Sequence, residues 1–268
     1  MRVNQKKMEA INSILAKVNL YSTRLKELYL ILLFLISKKY KILAKEKLVL
    51  IKKAYQISAK IQSPHRQYEI FHFLLTVLEN KGKKGCFVEA GVFKGSSSAK
   101  FSLAVSMTNN QLYLFDSYEG IPKNTEKHGK NIFGLSAKFP KGSYKGRIEE
   151  VKENIKNHGN IKVCRFRKGW FDKTMPRFKQ RILAAYIDVD LALSTKTCLK
   201  YLYPLLQPGG VIFTQDGHLP LVIKVLDNDD FWENEVGYKK PIIKGLYREK
   251  LVKIIKPKGA KRILKNKK

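Results

Sequence analysis

The sequence predicts an α/β fold: a doubly wound, mostly parallel seven-stranded sheet, with a helical N-terminal extension. Five short apolar segments alternate with stretches of helical patterning, which is typical of a parallel sheet covered by helices on both faces. Two further segments near the C-terminus are β-branched enough to add a hairpin at the sheet edge. The 268 residues suffice for one sizeable domain with extensions.

The individual elements follow from these patterns in chain order. The five apolar segments predict strands at 86–90, 111–116, 161–166, 184–188 and 210–215. The intervening patterns predict helices at 98–106, 146–157 and 194–206, the last with Ser194 as its N-cap. The terminal hairpin is predicted at 241–247 and 250–255. We expect an N-terminal extension at 1–62, the main domain at 63–256 and a basic tail at 257–268.

The first predicted strand leads into a glycine-containing turn, with the sequence FVEAGVFKG at 87–95. Its spacing, E-x-G-x-x-x-G, excludes both the G-x-G-x-x-G dinucleotide fingerprint and the phosphate-binding P-loop. The N–H groups that open the next helix at Ser96 can receive a carboxylate or phosphate. The alternative is that Gly91 only permits tight packing of strand and helix.

Ligands of open α/β sheets bind beyond the carboxyl ends of the strands. This rule predicts one cleft whose rim carries Glu89, Asp116, Gly169, Asp188, Asp190, Gln215 and Asp216.

Four segments carry a resemblance to a known family. They are FVEAGVFKGSS, LYLFDSYEGIP, VKENIKNHGNIKVCRFRKGWFDKTMP and YIDVDLALSTKTCLKYLYPLLQPGGVIFTQD, in this order, over residues 67–216. With them the chain resembles class I S-adenosylmethionine-dependent methyltransferases, and more narrowly the macrocin O-methyltransferase family of sugar-modifying enzymes. The resemblance implies a Rossmann-like fold and S-adenosylmethionine as methyl donor.

The resemblance also implies which residues bind the donor. Glu89 and the backbone around Gly91 would hold its amino-acid end, and Asp116 would accept both ribose hydroxyls. Trp170 would stack on the adenine. The alternatives are that Asp116 is a turn former and that Trp170 belongs to the core. The expected donor-binding set is Glu89, Gly91, Gly95, Ser96, Asp116, Ser117, Gly169 and Trp170.

The acidic group after the fourth and fifth strands is expected to carry the chemistry. In the resembled family a magnesium ion lowers the pKa of the acceptor hydroxyl, and by motif position Asp188, Gln215 and Asp216 would bind it. Asp190 would be the general base. Strand alternation predicts that Asp188 and Asp190 point to the same side. The alternative is a pair of solvated loop carboxylates.

The chain departs from the family pattern after the fifth strand. The family usually has two adjacent aspartates and a tyrosine, whereas this chain has Gln215, Asp216 and Gly217. A glutamine carbonyl can bind magnesium, but it removes one negative charge and should weaken the ion. His218 is an alternative base or ligand. The spacing of the remaining histidines does not predict a metal site: His65, His72, His128 and His158.

An insertion at 121–145 separates the second strand from the next helix. Structureless loops of this length are often active-site lids, so we expect it to set substrate choice. Its lysines would suit an acceptor with a phosphate or carboxylate, although a solvated loop is the simpler interpretation.

The net charge of +31 is concentrated at the ends of the chain. Residues 1–60 hold 14 Lys/Arg against 3 Asp/Glu (+11), and residues 238–268 hold 13 against 1 (+12). Such ends can meet anionic lipid, nucleic acid or an acidic partner. The apolar run at 28–36 is too short to span a bilayer. Packing against the domain or in a homo-oligomer is favoured over peripheral membrane contact.

Cysteine usage favours a reducing compartment, because Cys86, Cys164 and Cys198 are odd in number and lie in apolar contexts. No signal peptide is evident, so a cytoplasmic location is expected. The alternative is a peripheral location at the inner membrane surface.

The sequence therefore predicts an O-methyltransferase that acts on a hydroxyl of a sugar or glycoconjugate. A basic nucleic-acid-binding or nucleic-acid-methylating protein is one alternative, which the lack of a recognisable RNA-reading motif disfavours. A donor-binding protein with an impaired catalytic site is the other.

Overall fold

The computed structural model describes residues 23–263, and these build one seven-stranded sheet in the order β3-β2-β1-β4-β5-β7-β6. Strand β7 is antiparallel to β5 and β6, while the other neighbours pair in parallel. The predicted α/β fold is confirmed. The strands are β1 (Cys86–Ala90), β2 (Gln111–Asp116), β3 (Cys164–Lys168), β4 (Ile182–Ile187), β5 (Leu206–Thr214), β6 (Ile243–Lys244) and β7 (Val252–Ile255).

Helices cover both faces of this sheet. Helices α1 to α5 contribute to one buried cluster, and α7 and α8 contribute to the other. The helices are α1 (described over 23–36), α2 (Ala44–Lys60), α3 (Gln67–Glu79), α4 (Ser96–Val105), α5 (Ile148–His158), α6 (Phe171–Thr174), α7 (Ala192–Leu202) and α8 (Pro220–Leu226). A π-helical turn follows at Phe231–Val236.

The two central strands explain why the sheet forms where it does. Strands β1 and β4 are buried at every position, as expected for apolar segments with helices on both sides. They pair with each other, and β1 also pairs with β2. Their carboxyl ends therefore meet at the middle of one sheet edge.

The observed bounds correct two predictions. Strand β3 begins at Cys164, because Ile161–Val163 forms a 3₁₀ turn in which the Asn160 side chain accepts a hydrogen bond from the Lys162 N–H. Ser194 is not the N-cap of α7. That helix begins at Ala192, and its first N–H groups are capped instead by the Glu126 carboxylate of the insertion.

The N-terminal helices α1 and α2 form a hairpin. The Tyr55 hydroxyl of α2 donates to Glu27 of α1, and Lys47 Nζ donates to the carbonyl oxygens of Leu35 (3.0 Å) and Ser37 (2.5 Å). The Phe34 side chain is fully buried and belongs to the same hydrophobic cluster as the apolar side chains on one face of the sheet. None of the helices within residues 23–263 has the length and hydrophobicity needed to cross a bilayer.

Candidate active site

A cleft of about 260 Å³ opens at the carboxyl ends of the central strands. Eight of the predicted site residues line it, and four do not. Those that line it are Gly91, Ser96, Asp116, Ser117, Trp170, Asp188, Asp190 and Asp216; those that do not are Glu89, Gly95, Gly169 and Gln215.

Glu89 lies beneath the floor of the cleft, where it is fully buried. Its carboxylate oxygens accept hydrogen bonds from the hydroxyls of Ser97 and Ser98, each at 2.5 Å. Burial raises the pKa of Glu89 to about 8, although the two serine hydroxyls act in the opposite direction. Glu89 therefore ties β1 to the first turn of α4, and of its two serine partners only Ser97 lines the cleft.

The packing of the sheet requires a residue without a side chain at Gly91. Its φ is +88°, and a Cβ at this position would lie 1.8 Å from the carbonyl oxygen of Asp188. The backbones that leave β1 and β4 therefore approach as closely as only glycine permits. This close approach brings the donor-side loop next to the acidic group.

The first residue of α4 offers the cleft a polar group that can bind a ligand. Ser96 is almost completely buried, lines the cleft, and has a hydroxyl oxygen without a hydrogen-bond partner. The N–H groups of the first turn also lack partners within the helix. A hydroxyl beside a helix N-terminus fits a carboxylate such as that of an amino-acid moiety.

Asp116 organises the loops around the cleft. One of its oxygens accepts from the Val92 N–H at 2.6 Å, and the other accepts from the Tyr118 N–H at 2.7 Å. Burial raises its pKa, while these backbone donors act to lower it. Asp116 therefore forms turns, as the alternative interpretation held, and still borders the cleft.

Trp170 is not a core residue. It is 37% exposed, precedes α6 and lines the cleft together with Phe171. Gly169 lies behind it, and its N–H donates to the Asp116 carbonyl oxygen at 2.9 Å. The indole is thus available to stack on a flat ring in the cleft.

Three carboxylates converge within the same cleft. Within the described residues, oxygens of Asp188, Asp190 and Asp216 all lie within 4.8 Å of one another. Burial and the neighbouring Asp188 raise the pKa of Asp216 to about 8. Burial and the other two charges raise the pKa of Asp190 well above its usual value. This is the electrostatic condition that a divalent cation would relieve.

Asp188 and Asp190 converge for a reason other than strand alternation. Strand β4 ends at Ile187, and Asp190 has a φ of +59°. Asp190 is held in this left-handed conformation by its own N–H, which donates to Asp216 Oδ2 at 3.1 Å, next to a 3.0 Å bond from the Val189 N–H. The orientation of the Asp190 carboxylate is therefore set by a turn and not by a continued strand.

Gln215 is held by buried groups outside the cleft. Its Nε2 donates to Glu69 Oε2 and to the Tyr186 hydroxyl, each at 2.7 Å, while its Oε1 has no partner. An aspartate here would set a second carboxylate against Glu69. The neutral amide of Gln215 therefore avoids repulsion between two buried carboxylates. This arrangement does not support the metal-ligand role predicted for Gln215.

The sequence did not single out His65, which lies between α2 and α3. Its Nε2 lies 2.6 Å from Asp188 Oδ2, and the residue lines the cleft. Burial alone would raise the pKa of Asp188, but the charge and hydrogen bond of His65 hold it below its usual value. No spacing signal could find this pair, because its members lie 123 residues apart.

Lys250 was missed as well, and it enters from the turn before β7. It lines the cleft and its charge acts on all three carboxylates. Gly217 makes room for this turn: a Cβ there would lie 2.4 Å from Val252 Cγ1, and the Gly217 N–H donates to the Lys250 carbonyl oxygen at 3.0 Å. The glycine that departs from the family pattern is thus explained by packing.

The insertion at 121–145 covers part of the cleft. Glu126 accepts hydrogen bonds from the N–H groups of Ala192 (2.7 Å) and Leu193 (2.9 Å) at the start of α7. The Ile132 N–H donates to the His218 carbonyl oxygen at 3.0 Å. These bonds attach the insertion to the same wall that bears the acidic group.

Comparison with known proteins matches this architecture to one family. The macrocin O-methyltransferase family (TylF) matches residues 64–244, which is more than half of the chain. The chain belongs to this family. The matched range contains the three carboxylates, Ser96 and Asp116.

Two curated relatives of this chain are informative. An 8-demethyl-8-(2,3-dimethoxy-α-L-rhamnosyl)-tetracenomycin-C 4′-O-methyltransferase of Streptomyces olivaceus is 32% identical over 151 residues, which are 53% of this chain and 56% of that protein. Demethyldecarbamoylnovobiocin O-methyltransferase of Streptomyces niveus is 28% identical over 49% of this chain and 52% of that protein. The chain thus spans about half the length of these curated relatives.

The solved structure of the O-methyltransferase NovP supports the fold. It superposes with a TM-score of 0.55 and 22% identity, covering 70% of this chain and 79% of NovP. At this identity the similarity establishes the methyltransferase fold and nothing finer.

Proposed function

We propose that this protein is an S-adenosylmethionine-dependent O-methyltransferase that acts on a hydroxyl of a sugar or glycoconjugate. The observation that carries the proposal is the convergence of Asp188, Asp190 and Asp216 in a cleft that is also lined by Ser96, with its unpartnered hydroxyl. A donor site and a proton-accepting site thus share one cavity.

The donor side follows from the polar groups available there. Ser96 and the N-terminus of α4 would bind the carboxylate of the methionine moiety, and Asp116 would accept a ribose hydroxyl. Trp170 would stack on the adenine. Glu89 supports this site from below by positioning the serines of α4.

The acceptor side needs a group that removes a proton from a weakly acidic hydroxyl. Asp190 is proposed as this base, because it lines the cleft beside Asp188 and Asp216 and because burial and these two charges raise its pKa and so increase its affinity for a proton. Asp188 and Asp216 would hold a magnesium ion, which fits an all-oxygen donor set. When bound, the ion supplies Lewis-acid activation of the acceptor oxygen. His65 orients Asp188.

The acceptor class is inferred from the family and the cleft. The curated relatives carry names of O-methyltransferases of a rhamnosyl tetracenomycin and of a novobiocin precursor. Lys138 and Lys250 line the cleft and would favour an acceptor that bears an anionic group near its hydroxyl. The chain spans only about half the length of these relatives. The sugar that it methylates is therefore to be identified by experiment.

Titration with S-adenosylhomocysteine tests the donor site by calorimetry. Native protein should bind it, and Asp116→Asn should bind at least roughly tenfold more weakly because a ribose acceptor loses its charge. Asp172→Asn is the matched control, since that carboxylate is exposed on α6. Native protein that is folded and does not bind would contradict the proposal.

Methyl transfer to a panel of free sugars, nucleotide sugars and glycosides tests the acceptor side. Asp190→Asn should lower kcat by roughly 10²–10⁴ without weakening S-adenosylhomocysteine binding. Undiminished turnover in this variant would remove Asp190 from the mechanism. Loss of turnover in the presence of a chelator, followed by recovery on addition of magnesium, would support the proposed role of magnesium in methyl transfer.

A further inference from the structure

Helix α1 is apolar on two opposite faces. Leu30, Ile31 and Phe34 face the domain, and Phe34 is fully buried. Helices that lie on a domain surface normally expose polar residues on the side away from the core. Here the outer face of α1 consists of Leu25, Leu28, Tyr29, Leu32, Leu33 and Ile36.

This outer face of α1 is contiguous and strongly exposed. Its members follow the i, i+3, i+4, i+7 spacing that places side chains in one row along a helix. Leu28 is 62% exposed, Leu32 is 56% and Ile36 is 68%. Scattered exposed leucines need no explanation, but a row of six over three turns marks a surface that another phase or molecule covers.

The charge around this row selects the occupant. Arg24 and Lys26 lie at its start, and Lys38 and Lys41 follow its end, whereas Lys39 between them is paired with Glu79 at 2.9 Å. Over residues 23–60 the chain has ten Lys/Arg and two Asp/Glu, a net charge of +8.

Both acidic residues of this segment are engaged inside the molecule. Glu27 accepts from the Tyr55 hydroxyl and from the Tyr68 N–H at 3.1 Å, and Glu46 accepts from the Leu43 N–H at 2.6 Å. The segment therefore presents apolar side chains within a positive field.

We propose that the outer face of α1 binds the surface of an anionic lipid bilayer, with the helix lying in the plane of the interface. Leucine and isoleucine side chains would enter the acyl boundary while the flanking lysines contact lipid phosphates. A second copy of the chain fits less well, because each copy carries +31 and the copies would repel each other. The proposal does not depend on the chemistry of the cleft.

Sedimentation of the full chain with vesicles tests this inference. Vesicles of phosphatidylcholine alone and vesicles with about a third phosphatidylglycerol separate apolar from electrostatic attraction. Binding is expected to the anionic vesicles and to weaken as salt is raised. Absence of binding to anionic vesicles at low salt would overturn the proposal.

The apolar contribution is tested with Leu28→Gln/Leu32→Gln. This variant should partition at least roughly a hundredfold more weakly into anionic vesicles, because two leucine side chains that enter the bilayer are lost. The control is Leu193→Gln/Ile242→Gln, whose leucine and isoleucine are 69% and 77% exposed elsewhere. Equal binding of native protein and the Leu28/Leu32 variant would show attraction by charge alone and would overturn the proposed face.

Two measurements without vesicles exclude the other occupants. Under the proposal, the Leu28/Leu32 variant has the mass and the melting temperature of the native protein. A native dimer that the variant abolishes would assign the face to self-association. A clearly lowered melting temperature in the variant would indicate that another part of the same chain covers the face. Either result would overturn the lipid assignment.

Discussion

At the scale of single residues, Gln215 illustrates how a buried charge constrains its neighbour. Its Nε2 lies 2.7 Å from Glu69 Oε2, and Glu69 is itself 5% exposed. The position follows β5 directly, so a reader of the motif expects an acid that faces the cleft. The partner that decides the residue type lies 146 positions earlier in the chain.

Replacing Gln215 by glutamate is expected to destabilise the fold. Gln215→Glu keeps the side-chain length but sets two carboxylates against each other, at a cost of about 3 kcal/mol in the free energy of unfolding. Denaturant unfolding measures this, and Glu69→Gln/Gln215→Glu should recover most of the loss. A double variant that is as unstable as the single one would contradict direct coupling of the pair.

Glu89 predicts a pH dependence of stability. Its pKa is about 8 in the folded protein and 4.5 ordinarily. Between these values the folded state retains a proton that the unfolded chain has lost, so the contribution of Glu89 to stability falls as pH rises. Glu89→Gln should therefore melt at an increasingly higher temperature than native protein from about pH 5 to about pH 8.

The control for this series is Glu119→Gln, because Glu119 is exposed. Its melting temperature should differ from that of native protein by a constant amount across the same range. A constant difference for Glu89→Gln as well would mean that Glu89 is ionised throughout.

At the scale of elements, the insertion and helix α7 are joined by one carboxylate. Glu126→Ala removes the acceptor for two N–H groups at the start of α7, which should cost about 1 kcal/mol of stability. It should also release the insertion, so trypsin should cut faster after Lys123, Lys127 or Lys130. Mass spectrometry of timed digests locates the cuts, and Glu233→Ala is the control with the same charge change at an exposed site.

The effect of Glu126→Ala on catalysis should be confined to the acceptor. Its KM for the acceptor is expected to rise, because residues of the insertion line the cleft, while S-adenosylhomocysteine binding is retained. Unchanged digestion and unchanged acceptor KM would contradict a structural link between the insertion and the cleft.

The elements also show where sequence patterns suffice. Strands β1 and β2 lie where predicted, because each is a short, mainly apolar run that the sheet buries wholly in β1 and partly in β2. The predicted start of β3 was wrong because Ile161 and Val163 have β-branched side chains that favour a strand. In the structure these residues form a 3₁₀ turn, which the Asn160 side chain caps by accepting a hydrogen bond from the Lys162 N–H. The start of α7 depends on Glu126, a partner that local patterns do not contain.

At the scale of the whole molecule, the acidic group should respond to metal as a unit. Magnesium bound between Asp188 and Asp216 would reduce the repulsion that raises the pKa of Asp216. Millimolar magnesium should therefore raise the melting temperature, and S-adenosylhomocysteine at about 100 times its Kd should add about 2.7 kcal/mol of stability. Differential scanning calorimetry measures both.

Asp216→Asn separates the two effects. The variant should lose the response to magnesium and retain the response to S-adenosylhomocysteine, whereas Asp172→Asn should retain both. A magnesium response that survives in Asp216→Asn would place the ion elsewhere on the protein.

The site as a whole was partly predictable. The rule for strand ends identifies Asp116, Asp188 and Asp216, because topology alone brings those positions to one edge. His65 and Lys250 reach the same cleft through tertiary packing of segments that precede and follow the sheet core. No local pattern encodes such contacts.

The borders of the family match have a practical meaning. The match ends at residue 244 and begins at 64, yet Gln62, Ser63 and Lys250 line the cleft. Alignments restricted to the shared range would leave out part of the lining of the cleft. Transferring a substrate from one family member to another is therefore safest when these flanking segments are compared too, and a truncated protein cut at the match would have an altered pocket.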